Sequence, residues 1–251
     1  MIVLFTDFGL NGPYTGQMKA VLARMAPDVP VIDLFADVPS FDPKLAAYLL
    51  AAYVAEFPRG TVFLCIVDPG VGGTRKPIVL EADGRFFVGP DNGLFEVVAR
   101  RARRSRAFEI VWRPRHLSRS FHGRDLFAPV AARLAAAGKP GPATVRPGAL
   151  THRPAWPDDL PAIVYVDHYG NAMTGLRARA VPKSASLHAA GRVLPRSETF
   201  GDQPPGRPFW YANANGLAEI AVNRGRAVDL LRLKTGSPVR IGPLAGRRPR
   251  K

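Results

Sequence analysis

The sequence predicts an α/β protein in two parts: an N-terminal α/β/α sandwich-like domain on a mostly parallel sheet, and a smaller C-terminal β-barrel-like domain. Three observations carry that expectation. Short apolar, β-branched runs alternate with helical patterns over residues 1–137, proline and glycine crowd residues 138–161, and only short strand-like runs follow. With 251 residues, 47% hydrophobic and 22% charged, the chain has a globular composition and enough length for one large domain or two modest ones.

The elements follow in order. Residues 1–6 read as a first strand and residues 14–25 as a helix, followed by a strand at 29–35. Asp42-Pro43 opens a helix over 43–57, with an N-cap acid and proline at the first helical position. Strands are expected at 61–67, 77–81 and 86–89. Asp83-Gly84 between the last two reads as a tight hairpin, which makes part of the sheet antiparallel. A helix over 94–103, a strand at 108–112 and a helix over 125–137 complete the larger part. Residues 138–161 look too rich in proline for any regular element, so the expected division is a domain over 1–140, a linker over 141–160 and a β domain over 161–251. Its strands are expected at 162–167, 186–190, 217–222 and 238–241.

The formal charge of +15 invites a nucleic-acid reading, but its distribution opposes one. Arg100, Arg101, Arg103, Arg104 and Arg106 form one cluster, and Arg247, Arg248, Arg250 and Lys251 form another. Removing these nine from 35 bases leaves 26 against 20 acids. No helix-turn-helix, RNP or zinc-finger pattern surrounds either cluster, so both are expected to be solvated charge, and nucleic acid is not expected as a partner. The single cysteine, Cys65, suits a reducing compartment. The opening residues read as no signal peptide, and the longest apolar run, residues 45–55, is too short to span a bilayer. A cytoplasmic protein without membrane contact is expected.

In open α/β sheets ligands bind beyond the carboxyl ends of strands, so the polar residues after each apolar run are the informative ones. Asp7, in Thr6-Asp7-Phe8-Gly9, can accept hydrogen bonds from a vicinal diol or serve as a turn aspartate. Asp68 and Arg75 flank the glycine-rich turn Gly70-Val71-Gly72-Gly73, which is no Walker loop because it lacks the Gly-Lys-Ser/Thr ending. They can fold back into a charge pair, catalytic or structural. His122 lies on a glycine-bordered loop ahead of a helix, where it presents a ring nitrogen or is mere surface. The remaining histidines have no metal-ligand spacing, so no metal is expected. Tyr165-Val166-Asp167-His168-Tyr169-Gly170-Asn171 ends another strand with an acid, a stacking ring and an amide able to pair with adenine. Phe209-Trp210-Tyr211 precedes an Asn/Gly turn and is core or ligand platform.

Taken in order, Thr6-Asp7-Phe8-Gly9, Tyr14-Thr15-Gly16-Gln17-Met18-Lys19, Val67-Asp68-Pro69-Gly70-Val71-Gly72, Gly89-Pro90-Asp91-Asn92-Gly93, Phe121-His122-Gly123-Arg124-Asp125 and Gly170-Asn171 resemble the S-adenosyl-L-methionine (SAM) hydrolases, or hydroxide adenosyltransferases, relatives of fluorinases and chlorinases. The resemblance spans nearly the whole chain. It implies hydrolysis of SAM to adenosine and L-methionine by water attacking the ribose 5′ carbon, with SAM as substrate and no cofactor. Asp68, Arg75 and His122 would position the water, Asp7 would hold the ribose hydroxyls, Asn171 with Tyr169 would read adenine, and Asp167 would lie near the methionine amino group. Phe8, Phe41, Trp210, Asn213, Asn215 and Val222 complete the implied substrate-binding set. Homotrimers with active sites shared between subunits are implied as well. Two positions depart from the family pattern. Gly12 stands where an aspartate is expected and Ala214 where a serine is expected, both at the methionine end. An adenosine-binding module and a halide-dependent SAM lyase are the alternatives. A water-positioning Asp-Arg-His set speaks against the second.

Overall fold

The computed structural model describes residues 1–243. The basic cluster Arg247, Arg248, Arg250 and Lys251 lies outside them. Two compact units divide the chain, one of residues 1–153 and one from Pro154 onward.

Unit one holds β1 (Ile2–Thr6), α1 (Tyr14–Met25), β2 (Val31–Phe35), α2 (Pro43–Tyr53), β3 (Val62–Ile66), β4 (Pro77–Ala82), β5 (Arg85–Pro90), α3 (Glu96–Arg101), β6 (Ser105–Ile110), α4 (Ala128–Ala137) and β7 (Val145–Gly148). Its seven-stranded sheet has the order β2-β1-β3-β5-β4-β6-β7. The first four strands pair in parallel, and β4 and β7 run against the rest. Side chains alternate across the sheet. Ile2, Leu4, Val62, Leu64 and Ile66 pack with α1 and α4 through Met18, Leu22, Val130 and Leu134. Phe5, Phe63 and Phe87 face the other way. Phe63 and Phe87 stack at 4.9 Å, Phe87 meets Phe95 ahead of α3, and Phe5 reaches Tyr53 of α2 by way of Phe35. Helices therefore cover both faces of a mostly parallel mixed sheet.

Local chemistry sets several boundaries. Asp42 caps α2 by accepting the Leu45 N–H at 2.9 Å, with Pro43 in the first turn. The hairpin between β4 and β5 turns on Asp83 and Gly84, both at positive φ (46° and 78°), the signature of a two-residue primed turn. α4 stops at Gly138, which is left-handed at φ 69°.

Three expectations need correcting. Residues 138–161 are not devoid of regular structure: β7 lies among them, paired antiparallel with β6, Pro147 opposite Phe108. As an edge strand β7 needs hydrogen bonds on one side only, so a proline is tolerated there. β6 starts at Ser105 and ends at Ile110, so Arg106 of the arginine cluster lies on a strand, while Arg100 and Arg101 lie in the last turn of α3. The cluster is not wholly solvated charge either. Arg100 donates to Glu96 and to the Arg153 carbonyl, and Arg106 pairs with Glu81 on the neighbouring strand. Finally, the helix expected over 125–137 begins as a π-helical turn, Gly123–Phe127, ahead of α4.

Unit two is built from antiparallel sheets. One has the order β12-β13-β9-β8, from β8 (Leu160–Val166), β9 (Ala172–Arg177), β12 (Pro208–Ala212) and β13 (Leu217–Val222). The other has the order β11-β10-β14, from β10 (Ala185–Ala189), β11 (Arg192–Leu194) and β14 (Arg240–Pro243). Isolated bridges pair Ala162 with Pro238 and Arg196 with Trp210. A short helix, α5 (Ala227–Leu231), follows β13. Ile163, Leu187, Leu194, Trp210, Ile220 and Val239 form part of its core.

Candidate functional site

β1 and β3 are parallel neighbours, so the chain leaves both at the same end of the sheet, and Asp7 N–H donates to the Ile66 carbonyl at 3.2 Å. Asp68 follows two residues after Ile66. The loop beyond it turns tightly, Gly73 N–H donating to Gly70 O at 3.0 Å. Gly72 has φ +77°, and a Cβ there would sit 2.5 Å from the Arg119 carbonyl, so only glycine lets the two loops close together. That turn carries Arg75 back onto Asp68. Its Nε donates to both carboxylate oxygens at 3.0 Å, and Nη2 donates to Oδ2 at 2.5 Å. The same Nη2 donates to Nδ1 of His122 at 2.8 Å. His122 stands immediately before the π-helical turn, an irregularity often found at functional sites. The guanidinium also lies 5.3 Å from the Phe127 ring centroid.

The side chains of Asp68 and Arg75 are 5% and 10% exposed. Burial pushes the His122 imidazole below its ordinary value, helped by the Arg75 charge and opposed by Asp68 and Asp125. Asp7 is pushed up by burial, against the Phe41 N–H that donates to its Oδ2 at 3.1 Å, with the charge of Asp68 adding to the rise. Phe41 itself is 78% exposed and sits at φ 61°, a costly backbone for an aromatic residue. Phe8 packs edge-on to Phe121 at 5.8 Å and near Tyr14 at 5.6 Å. Gly123 lets these rings approach, since a Cβ there would lie 3.2–3.3 Å from Met18, Phe121 and Phe8.

Unit two carries a second cluster. Asp167 closes its loop by accepting the Asn171 backbone N–H at 2.8 Å and Nδ2 at 2.9 Å. Asn171 is buried, while Tyr169 is exposed. Asp167, Tyr169, Asn171 and Val222 line an open cleft of about 780 Å³, together with Tyr211 and Arg226. Other members of the sequence-predicted set fall elsewhere. Trp210 has no exposed surface and packs in the unit's core, so it is a core residue and presents no ring to this cleft. Asn213 organises the turn after β12: its Oδ1 accepts the N–H groups of Asn215 and Leu217. Asn215 contributes its backbone to that turn.

Glu219 is the residue that sequence reasoning missed. It is 2% exposed on β13, accepting Tyr211 Oη–H at 2.6 Å and Asn213 Nδ2–H at 2.9 Å. Burial pushes its carboxyl up, against those two donors and with Asp167 adding to the rise. A lone acid in the run Leu217-Ala218-Glu219-Ile220-Ala221-Val222 was the available signal. Among the described residues no group of three or more potential ligands could hold a metal ion, and no helix is long and apolar enough to cross a membrane.

Residues 2–143 match the model of the SAM hydroxide adenosyltransferase N-terminal domain, and residues 161–240 match that of the C-terminal domain. The chain belongs to the SAM hydroxide adenosyltransferase family. It is 40% identical to the (R)-S-adenosyl-L-methionine hydrolase of Thermus thermophilus over 262 residues, covering 96% of this chain and 98% of that protein. A fluorinase of an Actinoplanes species is more distant, at 23% identity over 96% of this chain and 97% of its own length. Among solved structures, an uncharacterized conserved protein of Thermotoga maritima matches with a TM-score of 0.86 at 32% identity, over 96% of this chain and all of that one. The two family models fall one on each compact unit, and each unit holds one of the clusters described above.

Proposed function

We propose that this protein hydrolyses SAM to adenosine and L-methionine, with Asp68, Arg75 and His122 as the group that handles water. The observation that carries this reading is the single guanidinium of Arg75 holding both the Asp68 carboxylate and the His122 ring in a largely buried cluster. Its support is the 40% identity to a named hydrolase over nearly the full length of both chains. The reaction needs little from an acid. The sulfonium leaves as a neutral thioether and takes no proton, so the demands on the protein are to align water with the 5′ carbon and to accept one proton late. Water is a poor nucleophile, with a pKa of about 15.7, and orientation in a preorganised polar site is the means available to these side chains.

For the nucleoside, Asp7 is suited to the ribose diol. Its carboxylate takes one N–H from Phe41 and keeps further acceptor capacity. Asn171 is suited to the adenine edge: Nδ2 spends one hydrogen on Asp167 and has a second for a base. Asp167 is suited to the methionine ammonium. We place the protein in the cytoplasm as a homotrimer with sites shared between subunits, a reading supported by the family resemblance. The C-terminal sheets are read as barrel-like, supported by the bridges at Ala162–Pro238 and Arg196–Trp210.

Incubation of the purified protein with the R and S sulfonium epimers of SAM in ¹⁸O-labelled water tests the proposal. Adenosine labelled at its 5′ hydroxyl, formed from the R epimer together with methionine, is expected. Binding without release of adenosine identifies a nucleoside-binding protein instead, and turnover only with added halide identifies a lyase.

A further inference from the structure

Arg75 cannot accept a hydrogen bond. A guanidinium is protonated at every accessible pH and has donors only, so its 2.8 Å contact requires His122 Nδ1 to be the acceptor. A protonated imidazolium would turn an N–H onto that donor. Neutral imidazole carries one proton, and with Nδ1 unprotonated that proton sits on Nε2. Resting on the hydrolase reading, we propose that His122 acts as a neutral hydrogen-bond donor through Nε2–H, holding the lone-pair side of the attacking water, and that Asp68 is the proton acceptor of the three.

The rest of the surroundings agree. The charged groups that act on the ring are Asp68, Arg75, Asp125 and Arg113. Asp125 is turned to Arg124 and to the Ser118 N–H, so it is no substitute partner for Nδ1. Burial together with Arg75 favours the neutral ring, the form in which Nδ1 can accept the Arg75 N–H. On Asp68, Oδ2 takes two of the three guanidinium contacts and Oδ1 one, which leaves Oδ1 the less committed oxygen. The step balances. A water lone pair forms the O–C5′ bond, the C5′–S pair returns to sulfur as a neutral thioether, and the surplus proton on the new hydroxyl passes to the Asp68 carboxylate and then to solvent.

Two measurements test this. Ring-¹⁵N histidine NMR of the wild-type protein needs no turnover: an unprotonated Nδ1 and a protonated Nε2 are expected for the His122 resonance, and a protonated Nδ1 overturns the proposal. Kinetics supply the second. Gln places an amide N–H near the Nε2 position, so His122→Gln is expected to hold kcat within roughly tenfold of wild type. His122→Ala should lose about 10²–10³-fold in kcat with KM little changed, the usual effect of deleting one preorganised donor. Asp68→Asn keeps the donors and is expected to lose turnover. A folded His122→Gln protein as inactive as His122→Ala overturns the donor role. Absence of adenosine release by the wild type would instead strike the hydrolase reading and leave the NMR result to decide the tautomer.

Discussion

Asp68 and Arg75 are an ion pair from which water has been largely withdrawn, and that changes what deleting one member does. Removing one partner of a buried pair strands the other charge, at a typical cost of about 3–5 kcal/mol. Arg75→Ala is therefore expected to lower unfolding stability by that amount as well as to abolish turnover, measured by urea denaturation monitored through tryptophan fluorescence. Arg75→Lys should not restore activity, because one ammonium cannot reproduce the fork that reaches both Asp68 and His122. A loss below about 1 kcal/mol for Arg75→Ala, the range of a surface pair, would contradict this account. Glu219 makes the opposite case. Its folded-state carboxyl titrates above the free value of 4.5, so its protonated form contributes stability that is complete below that value and lost as pH rises through the folded pKa. Glu219→Gln keeps both contacts, its amide oxygen accepting from Asn213 and its N–H donating to Tyr211. The variant should gain on the wild type between about pH 5 and about pH 7.5. Melting curves at both pH values check this, and an unchanged difference refutes it.

At the scale of elements, close approach between strands decides what the sheet tolerates. A Cβ on Gly89 of β5 would fall 2.3 Å from the Cys65 carbonyl on β3 and 3.0 Å from the Phe95 ring. The first neighbour is backbone in the sheet centre and cannot yield, so Gly89→Ala is expected to destabilise by about 1–3 kcal/mol or more. Asp42→Ala, which removes only the N-cap of α2, should cost about 1 kcal/mol. Denaturant midpoints that rank the two the other way would show that β5 can shift. Asp42-Pro43 and Asp83-Gly84 announced their elements because capping and tight-turn chemistry are local. β7 was hidden because proline tolerance depends on whether a strand has one neighbour or two, and no window of sequence contains that number.

For the whole molecule, a net charge of +15 sits on a fold whose described arginines are in part engaged with acids and carbonyls. Deleting residues 247–251 is expected to leave adenosine release and oligomeric state unchanged, by kinetic assay and light scattering. DNA binding that is salt-dependent and lost with the deletion, or a large fall in activity, would assign those residues a function. Light scattering of the intact protein is expected to give three chains per particle.

The sequence by itself determined the two-part α/β organisation, the end of the sheet where chemistry gathers, and the residue types offered there. Strand periodicity and residues such as Asp7, Asp68 and His122 after apolar runs are written in short windows of chain. Only the tertiary structure decided which of those residues meet. Arg75 touches His122, 47 positions further along the chain, through a glycine turn closed against the Arg119 carbonyl. It also decided that Trp210 is core and that Glu219, inside an apolar run, is a buried carboxylate between Tyr211 and Asn213. Burial and partner identity depend on what the rest of the chain brings alongside, and that is a property of packing in three dimensions.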